Sequence, residues 1–422
     1  MESKERISIR NFAGIEELEM DIKPINILIG PQGVGKSVVV KLIYFFRGLN
    51  DEITNIGYFS ERDDYDVQSI LLHSFNKYFE EEILNNTRFS IEYCNVEGVV
   101  FKVEKTETDD LILESSIDLD NLILQLISIK ETFELQEKMF ENEDDSIAIH
   151  YELMAELRKV LRKGVSIELG VDYPQIFVPA GRSFFSTVKS NIFTLVKEDN
   201  SFDFFILEFG ALFERLKAIK YATVEEVSID EVLVKVLDGV FVREDNNKEY
   251  ILHKDNRKVQ LQNVSSGQQE ALPLMLILKS IILKRLYKGG STLYIEEPEA
   301  HLFPTAQKAI VELLAKTFNS NPDNTQLFIT THSPYILTSF NNLIYAGNII
   351  KDDESKRKAV EKVIAKDTLL DCSKIGAYAL TKDGLKDLID QENHIINAEL
   401  LDEVSNMIGR EFDQLLDIEY AD

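Results

Sequence analysis

Cysteine is nearly absent from this 422-residue chain: Cys94 and Cys372 are the only two. They lie far apart and match no metal or redox spacing, which excludes a disulfide scaffold and fits a reducing cytoplasm. Long apolar runs are missing as well. The longest, such as Ala271 to Leu278, fall far short of a bilayer span, and the opening MESKERISIRNF has no apolar signal-peptide core. These absences predict a soluble, cytoplasmic chain without a membrane partner. Positive charge is scarce: 46 basic side chains face 73 acidic ones, a formal net charge of −27. A field of that sign repels nucleic acid and anionic membrane, so unaided coating of either is disfavoured unless local basic patches intervene. No long internal repeat and no low-complexity linker is present. What remains is ordinary for a globular protein, with 44% hydrophobic and 28% charged residues. At roughly 150 residues per domain, the length corresponds to two or three domains or one elaborate one.

Hydrophobic periodicity organises the chain. Ile7 and Ile9, then Leu18, Met20 and Ile22, alternate with polar neighbours and predict strands. Ile25 to Ile29 is a short β-branched run of the kind buried on both sheet faces. Glycines interrupt it from Gly30 to Ser37, and Val38 to Phe46 resumes as a helix. Residues 66–85 have helical spacing, and 88–94 with 99–105 form a hairpin around Val96-Glu97-Gly98. Two antiparallel helices are expected over 118–163, either packed in a core or projecting as an arm. QIFVPAGR (175–182) is a buried strand entering a turn, 183–239 is mostly helical, and VFVRE with EYILH forms a second hairpin. From Leu261 onward short apolar strands alternate with helices, which implies an α/β core with parallel strands. Pro273 falls within the helix after 264–270 and should cost one backbone hydrogen bond there.

Four stretches carry chemistry. Gly30-Pro31-Gln32-Gly33-Val34-Gly35-Lys36-Ser37 fits G-x-x-x-x-G-K-[ST] between a buried strand and a helix. Such glycines let backbone N–H groups wrap a polyphosphate, and the helix N-terminus adds positive potential. Lys36 would reach the β/γ-phosphates and Ser37 would bind Mg²⁺. Next, STLYIEEPEAHLFP (291–304) delivers two carboxylates to the carboxyl end of a strand, where α/β ligands bind. Adjacent residues on a strand point oppositely. Glu296 is therefore assigned to the Mg²⁺ shell through water, and Glu297 as general base or water-positioner. Third, His332 in THSP ends the buried strand 326–330 and can position a γ-phosphate through a neutral imidazole. Fourth, Ser265, Ser266, Gly267 and Gln268 open an apolar helix. They suit an anion or an ordinary N-cap.

Together, taken in chain order (30–37, 264–268, 292–297 and 332), these stretches resemble the Walker A, signature, Walker B and switch-histidine elements of ABC-type ATPases. The likeness is to the SMC, RecF and OLD-like branch, strong over 1–50 and 260–345. The resemblance implies an ATPase acting on ATP with Mg²⁺. Its nucleotide site would draw on Gly30, Gly33, Gly35, Lys36, Ser37 and Val38. Catalysis would fall to Glu297, Lys36 and His332, with metal contacts from Ser37 and Glu296. Two heads would meet head-to-tail, and Ser265, Gly267 and Gln268 would act in trans on the partner's γ-phosphate, with Ser266 beside them in the nucleotide site. Ser266 stands where a glycine is usual, and Glu296 where aspartate is commoner. Arg182, after VPAG, is a candidate phosphate or interface contact.

The expected fold class is α/β: an ABC-type P-loop ATPase head with an antiparallel β subdomain and a short inserted helical hairpin. The expected segments are ATPase lobe I at 1–117, hairpin at 118–165, and helical lobe II with the signature at 166–290. The ATPase core follows at 291–346 and an acidic C-terminal segment at 347–422. After His332 the 90 remaining residues lack the carboxylate pattern of a Toprim nuclease. The resemblance narrows to stand-alone ATPases of two-gene anti-phage systems, first that of PARIS and second that of Septu. It implies a homo-oligomeric sensor that controls a separate effector, a Toprim-like nuclease, in response to a phage trigger. A RecF/SMC-like DNA-maintenance ATPase is the alternative, and it leaves nucleic acid open as a partner. Residues 387–422 carry 11 acidic side chains and one basic, Arg410, a net of −10. They are either a docking surface for a basic partner or a solvated helical face.

Overall fold

The computed structural model describes residues 5–62, 65–79, 83–84, 88–106, 108, 110–140, 146–171, 173–184, 203–217, 226–244 and 248–397. The acidic turn 141–145, the 245–247 turn and most of the acidic tail, 398–422, lie outside them. The chain divides into two compact units. The first holds Met1–Ile22, Gly33–Gln175 and Thr381–Leu385; the second holds Lys23–Gln32, Ile176–Leu380 and Lys386–Asp422. The units interleave in sequence, so the five consecutive segments do not map onto them. The fold is α/β, with a parallel sheet in the second unit and an antiparallel sheet in the first.

The first unit opens with an antiparallel pair, β1 (Arg6–Phe12) and β2 (Ile15–Asp21). Alternation puts Ile7, Ile9, Leu18 and Met20 on the buried face. β4 (Ser90–Cys94), β5 (Val100–Lys105) and β6 (Leu111–Ser115) extend it in the order β2-β1-β4-β5-β6. A 24-residue helix, α1 (Lys36–Phe59), presents Phe45 and Phe46 to this unit's core. Phe12, Phe75, Phe79 and Phe89 form an aromatic cluster there, with Phe12 centroids 4.7 to 6.1 Å from the other three. Phe75 lies on α2 (Val67–Tyr78), which Asp66 caps by accepting from the Ser69 N–H.

The inserted hairpin is α3 (Leu119–Phe140) and α4 (Ser146–Leu169), which runs past the expected end at 163 to Leu169. It is half core and half arm. Leu122, Ile123, Leu126, Leu157, Leu161 and Val165 are buried, whereas Leu135, Ile147 and Tyr151 toward the far end are exposed. Two glycines permit the inner packing. A Cβ on Gly57 of α1 would sit 2.6 Å from Leu126 Cβ, and one on Gly164 3.1 Å from a Leu126 methyl.

The second unit is built on the sheet ordered β14-β13-β3-β12-β11-β7. Its strands are β3 (Ile25–Ile29), β7 (Gln175–Val178), β11 (Ser291–Glu296), β12 (Thr325–Thr331), β13 (Ile375–Thr381) and β14 (Gly384–Asp387), the last crossing the unit boundary. β11 is parallel to β12, and β12 and β13 are each parallel to β3, so these four strands end at one edge. β3 and β11 are buried at every position, as strands covered on both faces must be. β13, from the expected C-terminal segment, sits inside the sheet beside β3. Helices α5 (Phe204–Lys217), α6 (Glu226–Leu237), α7 (Ser266–Ile282), α8 (Pro304–Asn319) and α9 (Pro334–Asp352) supply the rest of one apolar core. α7 runs through Pro273 without ending. β8 (Val240–Arg243), β9 (Glu249–Leu252) and β10 (Lys258–Gln260) make a small antiparallel sheet.

Candidate ATPase site

Register fixes what gathers at the carboxyl edge of the parallel sheet. Glu296 pairs with Thr330 across β11 and β12, and Thr331 pairs with Ile29 across β12 and β3. Gly30, Glu297 and His332 therefore leave three adjacent strands at the same edge, the place where open α/β sheets bind ligands.

Glu297 departs from the strand with φ 44°, in the left-handed region. That conformation costs an L-residue roughly 1–2 kcal/mol. Its N–H still donates to Thr330 O at 2.9 Å, so the strand pairing ends at this residue. The turn aims its carboxylate at His332, Glu297 Oε1 lying 3.2 Å from His332 Nε2. Both side chains are about one-third exposed (36% and 27%), so the pair is open to a reactant.

Glu296 is buried. Its Oε2 accepts from the Ala180 N–H at 3.1 Å, and its Oε1 is buried without a hydrogen-bond partner among the described residues. An orphaned carboxylate oxygen is costly unless something compensates it. A divalent cation, or a water bound to one, is the compensation this chemistry fits. Ser37, on α1 in the first unit, is exposed.

Glu299, which the sequence reading left without a role, holds the histidine's backbone. Its Oε1 accepts from the Thr331 hydroxyl at 2.6 Å and from the His332 N–H at 2.8 Å. The next residue is fixed too: the Ser333 hydroxyl donates to Gln307 Oε1, and Gln307 Nε2 donates to Leu302 O at 2.9 Å. Ser333 also caps α9 by accepting from the Tyr335 N–H.

Two glycines of the Gly30–Ser37 loop have left-handed backbone. Gly33 and Gly35 have φ 75° and 98°, and α1 begins at Lys36, which is buried. A Cβ on Gly35 would meet Ile15 at 2.8 Å, so the position demands glycine twice over. Val38 is half-buried in the first turn of α1.

The Ser265–Gln268 stretch is the start of α7. Ser265 is its N-cap and forms a capping box with Gln268. Ser265 and Ser266 are exposed, and Gly267 is buried. A Cβ on Gly267 would stand 2.6 Å from His301 O, in the turn after Glu297. The Gln268 amide is engaged within its own chain, accepting from Ser265 and donating to Leu237 O.

Arg182 corrects an expectation. It is fully buried and touches neither solvent nor a surface where a phosphate or a second chain would meet it. Its Nη1 donates to Glu296 O at 2.6 Å and Pro179 O at 2.9 Å, and its Nη2 to Glu297 O at 2.9 Å. Its Nε donates to Glu270 O at 3.0 Å, and Glu270 Oε2 lies 3.6 Å away. Burial pushes its pKa down, and the carboxylates of Glu270, Glu299, Glu296 and Glu297 oppose that shift. Sequence periodicity carries no signal for partners 88 to 115 residues apart.

Residues 25–338 match the AAA_21 family, described as "AAA domain, putative AbiEii toxin, Type IV TA system". The chain belongs to this family. The match runs from β3 through Glu297 and His332 into α9, so the sheet edge lies inside it. Among curated proteins, "Retron Vc95 probable ATPase" of Vibrio cholerae serotype O1 biovar El Tor is 26% identical over 115 residues. The matched stretch is 26% of this chain and only 22% of that protein. Among solved structures, the SMC head domain from Thermotoga maritima is 13% identical, with 80% of this chain and 92% of that one covered at a TM-score of 0.35. The recombination mediator RecF is 11% identical, with 92% and 100% covered at 0.29. The fold assignment rests on the strand order itself. No helix among the described residues is long and apolar enough to cross a membrane.

Proposed function

We propose that this chain binds ATP with Mg²⁺ at the carboxyl edge of its parallel sheet and hydrolyses it slowly, as a regulatory step. The observation that carries this reading is the Glu297–His332 pair, held at 3.2 Å beside a buried Glu296 with an orphaned oxygen. Bound Mg²⁺ would neutralise charge developing on the phosphate oxygens. Glu296 Oε1 would face the ion or its water shell. Glu297 would orient the attacking water and accept its proton, and His332 Nε2, anchored through Glu299, would hold Glu297 and the γ-phosphate in line. The glycine loop and Lys36 would bind the β/γ-phosphates. Glu297→Gln should lower kcat by about 100-fold or more while ATP binding survives. Hydrolysis by Glu297→Gln at the wild-type rate would refute the catalytic assignment.

The reading extends to a head-to-tail homo-oligomer. The exposed Ser265 and Ser266 hydroxyls and the positive end of the α7 dipole suit a partner's γ-phosphate. Because the Gln268 side chain and its N–H are both engaged within the chain, the N–H donating to Ser265 Oγ, a contribution of Gln268 in trans would require the capping box to open. The wider role proposed is control of a separate effector, a nuclease, in anti-phage defence of the PARIS or Septu kind. The family's association with a toxin–antitoxin system and the partial likeness to a retron ATPase support it. Co-expression with the product of the neighbouring gene, followed by native mass measurement, tests it. A stable complex containing two or more copies of the 48.3 kDa chain is expected. A lone monomer with and without ATP would sink the oligomeric sensor.

A further inference from the structure

Arg182 is the most deeply buried charge among the described residues, and the proposed hydrolysis does not use it. Arg182 is completely inaccessible, and four of its N–H groups end on backbone carbonyls rather than on a ligand. Two of those carbonyls, Glu296 O and Glu297 O, flank the φ/ψ pair that turns Glu297 out of the strand. A third, Glu270 O, belongs to the second turn of α7, five residues after the Ser265 N-cap, and the Glu270 carboxylate balances the guanidinium charge. A buried arginine that only filled space would be replaceable by an apolar residue of similar size. This one instead fixes three separate segments at donor–acceptor distances of 3.0 Å or less.

We propose that Arg182 is a positioning residue for ATP hydrolysis: it holds Glu297 in its left-handed turn and ties that turn to α7 through Glu270. The proposal rests on the reading of Glu297 as the hydrolytic carboxylate. It deepens that reading by naming how the helix that begins at Ser265 governs the catalytic residue of its own subunit. A rigid-body shift of α7, such as engagement of its N-terminus would bring, pulls on Glu270 O and Glu270 Oε2. The planar guanidinium passes that pull to Glu296 O and Glu297 O without a flexible link. His301 O, against which Gly267 packs, lies in the same turn and moves with it.

The test compares Arg182→Lys, Glu270→Gln and their combination with Glu297→Gln and with Leu314→Ala, a truncation of a buried core residue on α8. Melting temperature, ATP affinity, kcat and KM are measured on full-length protein. Lysine keeps the charge but cannot reach three segments, and glutamine keeps the shape of Glu270 but not its charge. Both variants should bind ATP within about threefold of wild type and lose at least 10-fold in kcat at little-changed KM. The double variant should be no worse than the poorer single, as expected when two residues act as one unit. Leu314→Ala should lose stability at unchanged kcat. Wild-type kcat in either folded variant, or additive losses in the double, would overturn the proposal while leaving Glu297 in place. If Arg182→Lys does not fold, Glu270→Gln alone decides. Wild-type turnover by Glu297→Gln would instead remove the reading on which the proposal stands.

Discussion

At the residue scale, the site depends on groups that hold other groups. Glu299 shows this most simply. It accepts from Thr331 Oγ1 and the His332 N–H, and its own second oxygen is buried without a partner among the described residues. Removing it strands a hydroxyl and a backbone donor, at about 1–3 kcal/mol each. Glu299→Ala should therefore lower the melting temperature and release His332 from Glu297. Steady-state assays should show kcat reduced about 10-fold or more, with KM for ATP changed much less. Equal effects on both constants would mean that Glu299 contributes only to folding. Glu299 stands in plain view in EEPEAHLFP, yet the spacing of one loop cannot say which strand end a third carboxylate will meet. Glu296, Glu297 and His332 were legible because each follows a short buried run, and parallel runs must end together.

At the element scale, two helix contacts are set by missing side chains. α7 approaches the turn after β11 so closely that a Cβ on Gly267 would lie 2.6 Å from His301 O, a backbone atom that cannot rotate away. Gly267→Ala should shift that turn and depress ATP hydrolysis, read as kcat, even where circular dichroism shows an intact fold. In the first unit, Gly57 lets Leu126 of the hairpin settle against α1. Gly57→Leu overpacks that contact and should cost about 1–3 kcal/mol in chemical denaturation. Hydrogen exchange should rise in 119–140 and 146–169 before it rises elsewhere. Uniform exchange would argue against a hairpin seated on Gly57. The strands and this hairpin could be read from period-two and helical spacing, because local sequence fixes local periodicity. The sheet order could not. β13 enters beside β3 from a segment whose acidic neighbourhood reads as a tail, and only the sheet shows that IGAYAL is buried. Arg182 fails for a related reason: VPAGR has the look of an exposed turn, and the buried carbonyls that claim the guanidinium come from residues far away in sequence.

At the scale of the whole molecule, the charge of −27 bears on assembly. Two copies meeting head-to-tail bring like fields together, and long-range repulsion opposes their encounter. Added salt screens that repulsion over a Debye length of about 10 Å at 0.1 M. ATP-dependent self-association should therefore strengthen as salt rises from about 50 to 300 mM. The Glu297→Gln variant is the form to use, because ATP should persist in it. A nucleic-acid complex would behave oppositely, since binding that releases counterions weakens steeply over the same range. The sign of the salt effect thus separates a defence-type sensor working through protein contacts from a DNA-maintenance ATPase. Sedimentation of the variant with ATP across a salt series, with and without duplex DNA, measures both. Association that grows with salt and ignores DNA is expected. Assembly that appears only with DNA at low salt and disappears by 300 mM would favour the DNA-maintenance reading, and the acidic surface would then have to carry a basic patch at its binding face.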